Sequence, residues 1–161
     1  MTFSRALWTA PLCAVLLAGC GSKVDAVAVS QTPDPITTQE CDACGMVVIE
    51  QPAPRGQVIY RDGTHAHFCS LGDMLVALDA RSPHGSAQHV YVEALPADLD
   101  PAAFSTGAQP WIPAAEATYV SGVVRERVMG APLLSYRDPT VAASVAAAHH
   151  GTVVTWDALR Q

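Results

Sequence analysis

Three cysteines in the body of the chain have the clearest capacity for chemistry. Cys41 and Cys44 form a Cys-x-x-Cys pair in the run Cys-Asp-Ala-Cys-Gly-Met, and Cys69 follows farther along. The other two of the five cysteines, Cys13 and Cys20, belong to an apolar N-terminal stretch. Three thiols cannot all pair with one another, so at least one is expected to be free or bound to a metal.

Thioether and imidazole side chains accompany these cysteines. Met46 lies two residues after Cys44, and His65 and His67 precede Cys69 at alternate positions. Alternate residues of a strand share a face, so both imidazoles could reach one metal, although hairpin histidines are as often simply solvated. Met74, which we assign to the core, follows Cys69, and Met129 and the pair His149-His150 lie farther along the chain.

Three chemistries can use this set of residues. A structural zinc site would take four ligands, from the three cysteines and either His65 or His67. A thiol-disulfide oxidoreductase would use Cys41 and Cys44 alone, with one pKa lowered at a helix N-terminus. A Cu(I) site would combine thiolate, thioether and imidazole.

The residues that follow Cys44 favour copper. Gly45 and Met46 lead into a predicted strand, so the helix dipole that activates an oxidoreductase cysteine is not expected there. A nearby thioether adds nothing to a Zn(II) site but suits Cu(I). A disulfide between Cys41 and Cys44 remains the alternative, because thiolate ligation requires the pair to be reduced.

The N-terminus resembles an export signal. Arg5 precedes an apolar run over residues 6–18 that is too short to span a bilayer and ends in Leu-Ala-Gly before Cys20. These four residues match the bacterial lipobox, in which the cysteine is acylated and becomes the first residue of the mature chain. We therefore expect a lipid anchor at Cys20 and an oxidising location, the periplasm or the cell surface. An ordinary signal peptide is the alternative.

Short strands around two helices must position the candidate residues. Ser70 and Asp73 form a capping-box arrangement, and Asp138 followed by a proline is typical of a second helix start. Asp62-Gly63 predicts a two-residue hairpin turn, and Gly151 is expected at the C′ position of the second helix. The predicted strands cover residues 46–50, 57–60, 65–68, 89–93, 117–120, 133–136 and 152–156. The predicted apolar helix faces are Leu71, Met74, Leu75 and Leu78, then Val141, Val145 and Ala148.

The order hairpin, helix, strand occurs twice, which predicts an α+β fold of two small similar ββαβ halves. The expected segments are a signal peptide over 1–19, a flexible tether over 20–39, a first half over 40–95, a connection over 96–113 and a second half over 114–161. The chain carries 9 basic and 15 acidic residues, a net charge of −6. This balance argues against nucleic-acid binding through phosphate neutralisation.

From residue 40 to the C-terminus the chain resembles the NosL family, the accessory lipoproteins of nitrous oxide reductase. Where that family often has Gly-Gly after the last helix, this sequence has His150-Gly151. The resemblance rests on a series of motifs in the same order, Cys-Asp-Ala-Cys-Gly-Met, Phe68-Cys69-Ser70, Trp111-Ile112-Pro113-Ala114, Val128-Met129-Gly130 and His149-His150-Gly151.

The resemblance implies a non-enzymatic Cu(I) chaperone that helps to assemble the copper sites of nitrous oxide reductase. The implied partners are this enzyme and its assembly machinery. The resemblance agrees with a lipid-anchored protein on the periplasmic face of a bacterial membrane. Gly21 after Cys20, where an aspartate is lacking, resembles the sorting default for the outer membrane. The resemblance also implies a fold similar to that of organomercurial lyase. By position, Cys44, Met46 and Met129 are the first-ranked copper ligands, with Cys41, Cys69 and His67 as further candidates.

Overall fold

In the part of the chain that the structure describes, two antiparallel β-sheets, each with one main helix, make up the fold. The computed structural model describes residues 30–161 except Glu126 and Met129. The strands of the first sheet are β1 (Gly56–Tyr60), β2 (His65–Phe68), β3 (Ala87–Glu93) and β4 (Trp111–Pro113), and those of the second are β5 (Thr118–Ser121), β6 (Leu133–Tyr136) and β7 (Thr152–Val154). The helices are α1 (Leu71–Asp79), α2 (Pro139–Ala148) and α3 (Trp156–Leu159), with 3-10 turns at Val48–Glu50 and Ala114–Glu116.

The two sheets repeat one topology. The first sheet has the order β2-β1-β3-β4 and the second the order β6-β5-β7, with every pairing antiparallel. Helix α1 connects β2 to β3 as α2 connects β6 to β7. The predicted α+β class and the repeated ββαβ order are confirmed.

Both predicted helix starts are present. The Ser70 hydroxyl accepts a hydrogen bond from the Asp73 backbone N–H at 3.1 Å, and the Asp138 side chain caps α2 through the N–H of Thr140. Leu71 and Met74 are fully buried, so α1 presents the predicted face to the sheet. In α2 the buried positions are Ala142 and Ala146, whereas Ala148, which the prediction included, is exposed.

Some local predictions were wrong. Residues 46–50 form a single bridge at Val47 and a 3-10 turn rather than a strand. The hairpin loop has three residues, because Tyr60 pairs with Thr64 and Gly63 alone takes a positive φ, of 89°. The expected connection over 96–113 ends in strand β4, and the expected strand over 152–156 ends at Val154, since Trp156 begins α3.

The C-terminus of α2 differs from the prediction in an instructive way. His150, not Gly151, takes the left-handed C′ conformation, with a φ of 55°. Gly151 follows it and donates its N–H to Ala146 O at 2.9 Å, which closes a Schellman motif. A Cβ on Gly151 would lie 2.7 Å from Val120 Cγ1. The glycine therefore permits close approach to β5 rather than an unusual φ.

The core joins the two halves. Val58, Phe68 and Met74 from the first half share one buried cluster with Tyr119 and Leu133 from the second. At the start of α1, a Cβ added to Gly72 would lie 2.8 Å from Ala131 O. The 130–131 segment of the second half therefore lies directly against the helix that follows Cys69.

The N-terminal segment packs on the first sheet before residue 40, where the folded part was expected to begin. Asp34 donates its N–H to Gln57 Oε1 at 2.8 Å, and its carbonyl accepts from Trp111 Nε1 at 3.0 Å. The predicted signal peptide and Cys20 lie outside the described residues. Among the helices that the structure describes, none has the length and apolar character that crossing a membrane requires.

Candidate metal centre

The three thiols converge. The Sγ atoms of Cys41, Cys44 and Cys69 all lie within 4.8 Å of one another, and those of Cys44 and Cys69 are 3.5 Å apart. Three sulfurs bound to one metal ion at about 2.3 Å would lie roughly 4 Å apart in a trigonal plane. The cluster is therefore close to the geometry of a single three-sulfur site.

A tight turn places the Cys-x-x-Cys pair. The Gly45 N–H donates to Cys41 O at 2.7 Å, and the Cys41 N–H donates to Met46 O at 2.8 Å. Gly45 has a φ of 73°, the left-handed region that glycine adopts without strain. The turn brings the chain back on itself, so both sulfurs face the same side.

Asp42 docks this turn onto the edge of the first sheet. Its N–H donates to His67 O at 2.8 Å, and its carboxylate accepts the His67 N–H at 2.6 Å. Strand β2 is an edge strand of the first sheet, so no other strand of the described chain pairs with these two His67 groups. Cys69 comes directly after β2, and the docking therefore sets the distance between Cys69 and the other two thiols.

We expect Asp42→Ala to weaken metal binding by about 10–100-fold, the usual effect of losing a group that orients metal ligands. The turn would lose its carboxylate contact to β2, although no ligand is removed. Asp42→Asn keeps an acceptor oxygen and should lose less. Titration against a competing chelator measures the affinity.

Asp62→Ala is the matched control for this experiment. Asp62 also accepts a backbone N–H, that of Thr64 at 2.9 Å, but it does so in the hairpin loop. Its replacement should leave the metal affinity unchanged. An Asp42→Ala protein with the affinity of the wild type would show that the docking contact does not position the thiols.

The three thiols differ in burial and in their hydrogen bonds. Cys44 is exposed, whereas Cys41 and Cys69 are buried. Burial by itself would raise the pKa of Cys41, but hydrogen bonds from the backbone N–H groups of Cys69 and Ala43 outweigh it and leave the pKa below the ordinary value. Burial, and then the neighbouring Cys41 and Cys44, raise the pKa of Cys69.

Met46 is near the cluster, whereas His67 points elsewhere. Met46 packs against the small buried group that contains Cys41 and Cys69. The His67 Nε2 atom lies 3.5 Å from Asp34 Oδ2, and burial lowers the pKa of this imidazole more than the neighbouring carboxylates raise it. Among the described residues, neither His65 nor His67 belongs to the thiol cluster. The four-ligand set considered for zinc is therefore not assembled there.

The remaining candidates fall outside the cluster or outside the described residues. Met74 is fully buried in the core, as predicted, and Met129 and Cys20 lie among the residues that are not described. The residue after Met129 can be placed, because a Cβ on Gly130 would lie 3.0 Å from Asp73 Oδ1 and 3.5 Å from Ser70 Oγ. Asp73 Oδ2 is in turn 4.0 Å from Cys69 Sγ.

Of the three clustered cysteines, Cys69 is the one nearest to a helix N-terminus, rather than either member of the Cys-x-x-Cys pair. Cys69 immediately precedes Ser70, the N-cap of α1, while Cys44 is followed by a turn and a 3-10 segment. The expected absence of an α-helix directly after Cys44 therefore holds in the described chain, although the expected strand does not form. The role of Asp42 in docking the turn was not predicted from the sequence. The feature that could have indicated it is an aspartate side chain inside a tight turn.

Comparison with known proteins gives a consistent result. The NosL family model matches residues 34–161. The copper-binding lipoprotein NosL of Stutzerimonas stutzeri is 31% identical over 166 residues, which cover 93% of this chain and 79% of that protein.

Two solved structures are also similar. The crystal structure of the copper chaperone NosL from Shewanella denitrificans matches with a TM-score of 0.66 and 26% identity, over 80% of this chain and 95% of that one. The solution structure of the apo-NosL protein from Achromobacter cycloclastes matches with a TM-score of 0.46 and 22% identity, over 63% and 82% of the two chains.

Proposed function

The chain belongs to the NosL family, and from that premise we propose that it is a copper chaperone whose three thiols bind one Cu(I) ion. The single observation that carries the proposal is the cluster of Cys41, Cys44 and Cys69 sulfurs within 4.8 Å of one another. Thiolates are soft ligands that select Cu(I), and a site of three sulfurs leaves the ion open to a further ligand.

The proposed ligand set has the three thiolates at its centre. Met46 packs on the cluster and is proposed as a thioether ligand. Met129 is proposed as a ligand from the second half, which is supported by the position of Gly130 beside Asp73 and Ser70. His67 is left out of the set, because its ring lies against Asp34.

Release of the metal is as important to a chaperone as binding. Cys44 is exposed while Cys41 and Cys69 are buried, so an incoming ligand would meet Cys44 first. We therefore propose that copper enters and leaves by ligand exchange at Cys44. A partly open site fits this role better than a closed four-ligand cage, and no chemical turnover is required.

The proposed client is nitrous oxide reductase, whose copper sites the chaperone would help to load together with the assembly machinery of that enzyme. The proposed location is the periplasmic face of a bacterial membrane, reached through acylation of Cys20. Gly21, the residue after the acylated cysteine, favours the outer membrane. Several acyl chains would anchor the protein firmly. The remaining tether would connect this anchor to residues 31–36, which pack near the first sheet.

The test of copper binding is metal analysis of protein purified without oxygen, combined with X-ray absorption spectroscopy. We expect about one copper per chain, in the monovalent state and bound by sulfur, with little zinc. A protein that contains stoichiometric zinc would contradict the proposal in favour of a structural zinc site. A metal-free protein that reduces insulin disulfides and needs Cys41 for this would favour an oxidoreductase.

The test of delivery is made in a denitrifying cell from which the gene has been deleted. We expect its nitrous oxide reductase to lack copper, and the wild-type gene, but not a Cys44→Ser gene, to restore the metal. Cys20→Ala should abolish lipid labelling of the protein. A fully loaded reductase in the deletion strain would contradict the proposed client, while leaving copper binding intact.

A further inference from the structure

A groove beside the Cys-x-x-Cys turn is lined along one side by residues of α1. Its volume is about 540 Å³, and the Cys-x-x-Cys turn contributes Asp42 and Ala43 at one end. The apolar part of its lining includes Phe68 and Tyr60 from the hairpin and Val76 and Ala77 from α1. A groove of this size accommodates a few side chains of another molecule.

Val76 shows that the apolar wall is open to contact. Its side chain is 71% exposed, the largest exposed fraction of any large apolar side chain in α1. Single exposed apolar residues are ordinary on protein surfaces. This one is different in its position, because it lines a groove whose end is the metal-binding turn.

The charges at the two ends of the groove are opposite. Asp42 and Asp73 line the end next to the thiols, and Asp73 Oδ2 is 4.0 Å from Cys69 Sγ. A Cu(I) ion bound by three thiolates would itself carry a net negative charge. Arg81 lines the groove at the C-terminal side of α1. The metal end therefore attracts a cation, and the far end attracts an anion.

We propose that this groove is the docking site for a segment of the copper-receiving protein. The segment would place a lysine or arginine beside Asp42 and Asp73, apolar side chains against Val76 and Phe68, and an acidic residue near Arg81. Docking there would bring the receiving ligands to Cys44, the exposed thiol. This inference rests on the proposed chaperone function and adds to it the surface and the chemistry of the partner.

The test compares copper transfer to a protein with copper transfer to a small molecule. The full-length lipoprotein in detergent micelles is loaded with Cu(I) and mixed with copper-free nitrous oxide reductase or with bicinchoninate. Val76→Lys should slow transfer to the reductase by about tenfold, as for loss of a well-placed interface contact. Transfer to bicinchoninate and the Cu(I) affinity should not change, because Val76 is not a proposed ligand.

Two further variants separate the contributions. Val153→Lys is the matched control, because Val153 is also an exposed valine, at 42%, and does not line this groove. Val76→Glu should slow transfer less than Val76→Lys, because Val76 lies one helical turn after Asp73. A carboxylate there would be close to the partner's proposed lysine or arginine, whereas an added lysine would repel it. Transfer by the wild type should also slow as the salt concentration rises.

The outcomes distinguish this inference from the function on which it rests. Unchanged transfer from Val76→Lys to the reductase, with normal binding of Cu(I), would overturn the docking site alone. Equal slowing toward bicinchoninate would assign Val76 to the metal site and would also overturn it. A wild-type protein that binds no Cu(I), or gives none to the reductase, would overturn the proposed function and this inference together.

Discussion

Replacing Cys44 by serine is expected to lower the Cu(I) affinity by on the order of a hundredfold or more, equivalent to about 2.7 kcal/mol or more. The substitution exchanges a soft thiolate for a hydroxyl that Cu(I) binds poorly. It also leaves the fold undisturbed, because Cys44 is exposed. Competition with a Cu(I) chelator under anaerobic conditions measures the loss.

Cys69→Ser should have a comparable effect, because its sulfur is 3.5 Å from that of Cys44. Substitution of the thioethers provides the matched comparison. Met46→Leu should weaken binding modestly, whereas Met74→Leu should not, since Met74 is fully buried in the core. Wild-type affinity in both cysteine variants would show that copper binds elsewhere in the chain.

The elements that hold the site were predictable because their signals are local. Ser70 and Asp73 form the cap of α1 from neighbouring residues, and Asp138 caps α2 in the same way. A helix start depends on one turn of chain, and a hairpin depends on its loop and the pattern around it. Two such hairpin-helix-strand units in sequence were therefore enough to predict the class and the repeated topology.

The composition of the site depends on contacts between residues that are far apart in the sequence. Cys69 joins Cys41 and Cys44 because Asp42 occupies the outer edge of β2 at His67. The sequence pattern places His67 on a strand, but it carries no information that Asp34 lies against the ring. Cys-x-x-Cys spacing predicts a pair of neighbouring thiols. Cys69 was already a candidate from the sequence, but only the tertiary structure shows that its sulfur lies beside those of the pair.

His150 shows a limit of residue preference. The C′ position of a helix favours glycine, so Gly151 was the natural choice from the sequence. In the structure His150 takes the positive φ, while the backbone of Gly151 approaches β5 too closely for any side chain. A positive φ and a close backbone approach are required here at adjacent residues. The close approach excludes every side chain, whereas the positive φ does not, so the glycine is needed at the position of close approach.

A buried ion pair carries the largest predicted effect on stability. Arg55 and Glu93 are both fully buried, and Arg55 Nε donates to Glu93 Oε2 at 2.7 Å while Nη2 donates to Oε1 at 2.8 Å. Arg55→Met would leave the Glu93 carboxylate buried without its cation. We expect a loss of about 3–5 kcal/mol in the free energy of unfolding, measured by urea denaturation.

Arg160→Met is the matched control. Arg160 Nη1 is 2.7 Å from Asp79 Oδ1, but the two side chains are 28% and 70% exposed. A surface pair of this kind contributes no more than about 1 kcal/mol, so the variant should unfold nearly as the wild type does. Equal effects of the two arginine substitutions would contradict the assignment of the large cost to burial.

The double variant Arg55→Met/Glu93→Met tests the origin of the cost. Removing both charges should recover much of the stability, because no unpaired ion remains. Recovery should be incomplete, since Arg55 Nη1 also donates to Ile49 O at 3.2 Å and Nη2 to Gly107 O at 2.9 Å. Those carbonyls would lose their partners.

The Ile49 carbonyl belongs to the turn that begins at Val48, and Val48 packs on Cys41 and Cys69. A double variant that is folded and has recovered most of its stability, but binds Cu(I) more weakly than the wild type, would therefore assign Arg55 a role in holding the thiols in place.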